Sequence, residues 1–185
     1  FAEESVDPAR FFERLAEVPG EPFAKAGIEG AVWEASARAA GVPLCALFGA
    51  KPRPVPSGVA IGIYDSVDEL LRRVERFVAD GYRRVKIKIQ PGWDLEPVDA
   101  VRRRFPDMPL TVDANAAYVL EDSTALRALD AFGLAMIEQP LARGAHEQAA
   151  ELQKKLRTPI CADESAESLD ALEEVIRLGA ARIVN

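Results

Sequence analysis

Short apolar runs alternate with longer amphipathic stretches along most of the chain. The runs lie at residues 59–63, 85–89, 110–112, 134–137, 159–162 and 182–184. Short, near-continuous apolar runs are typical of strands that are buried on both faces of a parallel sheet.

The stretches between these runs repeat apolar residues at helical spacing. Ser66-Val67-Asp68-Glu69 has the sequence of a capping box and is followed by Leu70 and Val74 on one helical face. Gly81 and Gly179 stand where glycine commonly ends a helix. Further helices are predicted around residues 99–104, 126–132, 146–156 and 169–176. Strand and helix in regular alternation predict a parallel sheet with helical crossovers.

The first 50 residues follow a different pattern. Apolar residues around Phe11 indicate a short helix, and residues 28–40 indicate a second one. The proline-rich segment 52–56 then reads as a connector into the first strand. We therefore divide the chain into residues 1–50, which are helical, and residues 51–185, which contain the strand–helix repeats.

Composition and charge limit the classes of function. The 185 residues are 49% hydrophobic and carry a formal net charge of −7, which argues against a nucleic-acid-binding surface. No apolar run approaches the roughly 18 residues of a membrane span. Cys45 and Cys161 lack metal-ligand spacing and fit a reducing compartment, so we expect a cytoplasmic protein. A small carboxylate substrate remains compatible with the acidic charge, because a bound metal ion inverts the local charge.

A charged residue ends each of four successive strands. Lys88, Asp113, Glu138 and Asp163 follow one another at intervals of 25 residues. Active sites of βα barrels are built at the carboxyl-terminal ends of the strands. We therefore expect the four side chains in register at one rim.

Three of these residues are carboxylates, which would repel one another without a cation between them. Hard oxygen ligands and the absence of His and Cys favour Mg²⁺ over Zn²⁺, with Mn²⁺ as a plausible substitute. Asp113, Glu138 and Asp163 are the predicted metal ligands. Asn115 lies two residues beyond Asp113 on the same side and is a candidate to bind the substrate or a ligand, although Asn after a strand often only forms a turn.

Lys86 and Lys88 stand two residues apart on one strand, so both point to the same face. Mutual repulsion and burial are expected to lower a lysine pKa towards neutrality. A neutral lysine beside a metal-bound carboxylate is a suitable base for the adjacent α-proton, and the metal would stabilise the resulting enediolate. Considered without Lys88, Lys86 would instead be interpreted as an ordinary surface lysine of a strand.

Other polar residues are given ordinary roles. We expect His146 to be solvated and Cys161 to be a small core residue. Glu164 is expected to point away from Asp163, with support of a metal ligand as the alternative.

The strand-end motifs together resemble the muconate-lactonising subgroup of the enolase superfamily, and most closely its o-succinylbenzoate synthase and N-acylamino-acid racemase family. The motifs are Lys86-Ile87-Lys88, Asp113-Ala114-Asn115, Glu138-Gln139-Pro140 and Asp163-Glu164-Ser165. The resemblance implies an α/β fold of the (β/α)8 TIM-barrel type. An N-terminal α+β capping domain precedes the barrel, and residues 1–50 would be its last helical part. It also implies that Lys88 is the general base and that Lys86 orients and polarises the substrate.

The implied reaction is metal-dependent removal of a proton α to a carboxylate, through an enediolate. The product would be o-succinylbenzoate, by dehydration, or a racemised N-acylamino acid. Dipeptide epimerase, muconate cycloisomerase and a non-catalytic barrel fragment stay open as alternatives.

The resemblance also bears on completeness. The family places a second lysine two residues beyond the position of Asn185, the last residue here, and the chain begins at Phe1 without a methionine. About six of eight strands are recognisable, so we expect a piece of a longer protein. Proteins of this family usually associate, and a homo-oligomer is expected.

Overall fold

The computed structural model describes residues 7–185, which form two compact units that divide between Val55 and Pro56. Residues 1–6, at the start of the predicted helical part, lie outside the described residues. Within the described residues, no helix is both long and apolar enough to cross a membrane.

The described part of the first unit is built from helices. These are α1 (Pro8–Ala16), α2 (Pro22–Ala40) and α3 (Leu44–Leu47). The side chain of Asp7 caps α1 by accepting a hydrogen bond from the Ala9 N–H at 3.0 Å. The predicted start of the second helix at residue 28 was too late, because proline in a first helical turn needs no backbone N–H and Pro22 opens the helix.

The second unit contains one parallel sheet of six strands in chain order, as the strand–helix alternation predicted. The strands are β1 (Gly58–Ile61), β2 (Arg84–Lys88), β3 (Leu110–Asp113), β4 (Ile137–Glu138), β5 (Ile160–Ala162) and β6 (Ile183–Val184). This confirms the α/β class. Because all strands run the same way, their carboxyl-terminal ends meet at one rim.

Helices connect the strands. They are α4 (Val67–Ala79), α5 (Leu95–Arg104), α6 (Ser123–Ala128), α7 (His146–Lys155) and α8 (Leu169–Leu178). Ser66 and Ser168 cap α4 and α8, with each hydroxyl accepting a backbone N–H at 3.2 Å. The helix predicted at residues 126–132 is instead the end of α6 followed by a 3-10 turn, Leu129–Phe132.

The core of the second unit lies between the sheet and its helices. Val85 and Ile87 of β2 are fully buried there, together with fully buried side chains of α4 and α5. The alternate residues Arg84, Lys86 and Lys88 are only partly buried or exposed and lie on the other face. That face borders a cavity of about 350 Å³, whose lining includes Lys86 and Glu138.

Two polar side chains tie the amino-terminal ends of the strands. The Arg102 guanidinium donates hydrogen bonds at 2.8 Å to the carbonyl oxygens of Phe132, Pro106 and Met108. The Asp130 carboxylate accepts from the N–H groups of Thr158 (2.8 Å) and Arg157 (3.0 Å), just before β5. Burial would raise the pKa of Asp130, but these N–H groups outweigh it and hold the pKa below its ordinary value.

Candidate active site

Three of the four predicted strand-end residues occupy one row across the rim. Lys88 is the register partner of Asp113, which is the register partner of Glu138. Glu138 then pairs with Cys161, so that Asp163 lies two residues farther along, about 6.6 Å beyond the row at strand rise. The expectation that all four share a register was wrong for Asp163, because neighbouring strands of a barrel are staggered and equal sequence spacing does not follow that stagger.

The two lysines contact the rim carboxylates. The Lys86 ammonium donates to Glu138 Oε1 at 2.7 Å and lies 3.2 Å from Asp113 Oδ2. The Lys88 ammonium donates to the same Asp113 Oδ2 at 2.6 Å. Both lysines therefore face the same side of the sheet, as their spacing predicted, and they share one carboxylate oxygen.

The expected lowering of the lysine pKa was wrong for Lys86. Burial lowers the pKa of Lys86, but hydrogen bonds and charge from Glu138 and Asp113 outweigh burial and raise it above its ordinary value. Attraction to the two carboxylates that face the lysines thus exceeds the repulsion between the two ammonium groups, from which a lowered pKa was expected.

The two carboxylates respond differently to the same surroundings. Asp113 and Glu138 are each only 1% exposed. Burial acts to raise the pKa of Asp113, but hydrogen bonds from Lys88, the Asn115 N–H and Lys86 outweigh it, so the pKa is lowered. The pKa of Glu138 is raised, first by burial and then by the charges of Asp113 and Asp163, against the opposing effect of Lys86.

Asn115 joins this network through a turn. Its backbone is in the left-handed region, with φ 40°, and its N–H donates to Asp113 Oδ1 at 3.1 Å. Its side-chain oxygen accepts from Lys88, and its Nδ2 donates to Glu164 Oε1 at 3.1 Å. Asn115 therefore both forms a turn and contacts the candidate base. Glu164 therefore contacts the network through Asn115, which agrees with the alternative of a supporting role and not with the expectation that it points away.

Two rim residues were missed by the sequence argument. Gln139 is buried directly after Glu138, and the Asn185 Nδ2 lies 3.5 Å from Glu138 Oε1. Both follow an apolar run, which is the signal that identified the charged residues. These two amides carry no charge, and repulsion between like charges was the property that marked the carboxylates as metal ligands.

His146 and Cys161 lie outside the lysine–carboxylate contacts. The expectation that His146 is solvated was wrong: it is 8% exposed, and its Nδ1 lies 2.9 Å from Glu174 Oε2 between α7 and α8. Cys161 is fully buried, as predicted. Burial, followed by the charge of Glu138, raises its thiol pKa to about 12.

The predicted ligand atoms are of the chemical type that a hard divalent cation prefers. Asp113, Glu138 and Asp163 offer only carboxylate oxygens, and the Asp163 carboxylate has no hydrogen-bond partner within residues 7–185. With the side chains as they stand, however, no three Asp, Glu, His or Cys residues of the described chain are close enough to hold an ion. The Lys86 ammonium contacts both Asp113 and Glu138. The predicted metal ligands thus stay a prediction.

A parallel α/β sheet with lysines and carboxylates at its carboxyl-terminal rim defines the class of barrel enzymes that build their sites there. Residues 69–185 match the enolase C-terminal domain-like family. The chain belongs to this family, which is part of the enolase superfamily.

Known relatives agree in sequence and fold. The chain is 51% identical to an o-succinylbenzoate synthase of Geobacillus kaustophilus, over 96% of this chain and 48% of that protein. It is 45% identical to an N-succinylamino acid racemase of Thermus thermophilus, over 97% of this chain and 48% of that protein. A solved structure of an enolase-superfamily member from Listeria innocua superposes with a TM-score of 0.88 at 39% identity. The match covers 97% of this chain and 48% of that protein. The chain thus spans about half the length of the relatives it matches.

Proposed function

We propose that the protein removes a proton α to a substrate carboxylate in a metal-dependent reaction. The reaction is dehydration to o-succinylbenzoate, racemisation of N-succinylamino and related N-acylamino acids, or both. The main support is the contact of two lysine ammonium groups with the buried rim carboxylates Asp113 and Glu138. Two relatives support the two substrate classes. One is the o-succinylbenzoate synthase at 51% identity, and the other is the N-succinylamino acid racemase at 45% identity.

The metal of the proposal is Mg²⁺, which the enolase superfamily generally uses with a Lys or His base. Asp113, Glu138 and Asp163 would hold it, and Mn²⁺ could substitute. When bound, the ion would neutralise the substrate carboxylate and stabilise the negative charge that develops on it.

Lys88 is the proposed base. Its ammonium nitrogen lies at the rim against Asp113 and Asn115, and it would act in its neutral form. The α-proton moves to the Lys88 nitrogen and leaves an enediolate. In dehydration the C–O bond at the neighbouring carbon then breaks. The leaving hydroxide takes the proton from the Lys88 ammonium and departs as water, which restores the neutral base. In racemisation a proton must return from the opposite face. Lys86, which is held by Glu138, would orient and polarise the substrate carboxylate.

The base assignment is tested with Lys88→Ala in the purified protein. We expect deuterium exchange at the substrate α-carbon, followed by NMR in D₂O, to fall by about 10²-fold or more. Mg²⁺ affinity, measured by calorimetry, should not fall, because Lys88 is not among the predicted ligands. The control is Lys154→Ala on the exposed surface of α7. Exchange at the parent rate in the Lys88 variant would place the base elsewhere.

The metal assignment is tested with Asp113→Asn, Glu138→Gln and Asp163→Asn. Each change keeps the side-chain volume and removes a charged ligand, so Mg²⁺ affinity should fall at least about 10-fold. A variant that bound Mg²⁺ as well as the parent would remove its residue from the ligand set. Parallel assays with dipeptide and muconate substrates would expose the alternative reactions.

A further inference from the structure

Gln139 has all of its side-chain polar groups satisfied behind the rim. It is 3% exposed. Its Nε2 donates to Ser165 Oγ at 2.7 Å and to the Leu141 carbonyl at 2.8 Å. Its Oε1 accepts from the N–H groups of Asp163 (3.0 Å) and Ser165 (3.1 Å). A buried amide with four hydrogen bonds has one defined orientation.

The backbone of Gln139 makes two further connections. Its N–H donates to the Cys161 carbonyl at 2.9 Å, and its carbonyl accepts from the Ala116 N–H at 2.8 Å. Its φ of 37° is in the left-handed region, which residues with a side chain occupy only where the surroundings fix it. Gln139 therefore joins the segments that follow β3, β4 and β5.

Those three segments carry the predicted ligands Asp113, Glu138 and Asp163. Asp163 depends most on this connection, because it lies beyond the row of the other two and its carboxylate has no hydrogen-bond partner in the described chain. What fixes its position is its backbone, and the Asp163 N–H is held by the Gln139 amide oxygen.

We propose that Gln139 is a positioning residue that fixes the Asp163 backbone relative to Glu138 and thereby sets the affinity of the rim for a divalent cation. This inference rests on the proposed function. Gln139 need not touch the ion or the substrate. Without its amide, the third carboxylate would have to be ordered when the ion binds, and the ordering entropy would weaken binding.

Gln153 provides a matched control, because it is a second buried glutamine whose side chain is hydrogen-bonded to β5. It is 4% exposed, and its Oε1 accepts from the Ile160 N–H at 2.7 Å, at the opposite end of β5. Gln139→Met and Gln153→Met each replace a buried amide with an apolar side chain of similar size. A merely structural role predicts that the two variants behave alike.

The test measures Mn²⁺ binding to the purified protein by electron paramagnetic resonance, together with the thermal midpoint. We expect Gln139→Met to weaken Mn²⁺ binding about 10-fold or more. Gln153→Met should lower the thermal midpoint but leave Mn²⁺ affinity within about twofold of the parent. Equal affinities in the two variants would overturn the inference.

A milder variant decides the matter if Gln139→Met does not fold. Ser165→Ala removes one acceptor of the Gln139 amide and should weaken Mn²⁺ binding, whereas the helix-cap variant Ser168→Ala should not. Unchanged binding in Ser165→Ala would then reject the role of Gln139. A parent protein that bound no divalent cation would reject the proposed function itself, which is a different result.

Discussion

One carboxylate oxygen, Asp113 Oδ2, is shared by two ammonium groups. Lys88 lies 2.6 Å from it and Lys86 lies 3.2 Å from it. A divalent cation ligated by Asp113 would compete with both lysines for the same lone pairs. We infer that cation binding frees at least one lysine nitrogen from its carboxylate, and a base requires such a free nitrogen.

Cys161 provides a prediction at the scale of a single residue. Its thiol pKa is raised by burial from an ordinary value of 9.0 to about 12, so the folded protein holds roughly a thousandfold less thiolate at pH 8 than an exposed thiol would. We expect Cys161 to react with a thiol reagent only after denaturation. The measurement uses a Cys45→Ser variant, in which Cys161 is the remaining thiol. Rapid reaction of the native variant would contradict the burial.

The limits of the sequence at this scale are physical. The 25-residue spacing identified Lys88, Asp113 and Glu138, which share one row across the strand ends. The two-residue spacing along β2 identified Lys86. The burial of His146 could not be predicted, because its partner Glu174 lies 28 residues away on another helix. The raised pKa of Lys86 could not be predicted either, because it depends on ångström-scale distances to two carboxylates.

At the scale of elements, local signals predicted helix ends where a capping side chain or a left-handed glycine stands at the end. Ser66 begins α4, and Gly179 ends α8 in a left-handed conformation. Helix ends without such a local signal were predicted less well. The α2 helix begins earlier than its apolar pattern indicates, and α6 is followed by a 3-10 turn where a continuous helix was predicted. The register of β5 against β4 was also not predicted, because it depends on pairing between segments that are distant in sequence.

The cap of α4 gives a prediction at this scale. Ser66→Ala leaves the Glu69 N–H without its side-chain acceptor and should lower the free energy of unfolding by about 1 kcal/mol. Urea denaturation measures the change. Ser57→Ala, an exposed serine before β1 that caps no helix, is the control and should be near neutral. Equal losses in both variants would rule out a specific capping effect.

At the scale of the whole molecule, the side chains that tie the strands together and the candidate site lie at opposite ends of the parallel sheet. Arg102 and Asp130 tie segments at the amino-terminal ends of the strands, and the lysine–carboxylate network lies at the carboxyl-terminal ends.

The stabilising role of Asp130 at the amino-terminal ends of the strands can be tested by its dependence on pH. Its folded-state pKa lies below its unfolded value, so the stabilisation is present above the ordinary aspartate pKa and is lost as pH falls through the lowered pKa. Asp130→Asn should lower the free energy of unfolding by about 2 kcal/mol at pH 7. The difference between parent and variant, measured by urea denaturation, should shrink in acid.

The control for this prediction is Asp107→Asn, a change in an exposed aspartate, which should alter stability little at either pH. A pH-independent difference for Asp130→Asn would mean that shape, not charge, accounts for the contribution of Asp130.

The ties by Arg102 and Asp130 have a consequence for how such a protein diverges. Because the strands are held together away from the rim, loops at the rim can accept substitutions without loss of strand alignment. Such substitutions should change the surroundings of the lysine–carboxylate network while the protein remains folded. For protein engineering, stabilising changes belong at the amino-terminal edge and changes of specificity at the opposite edge, where the two goals interfere least.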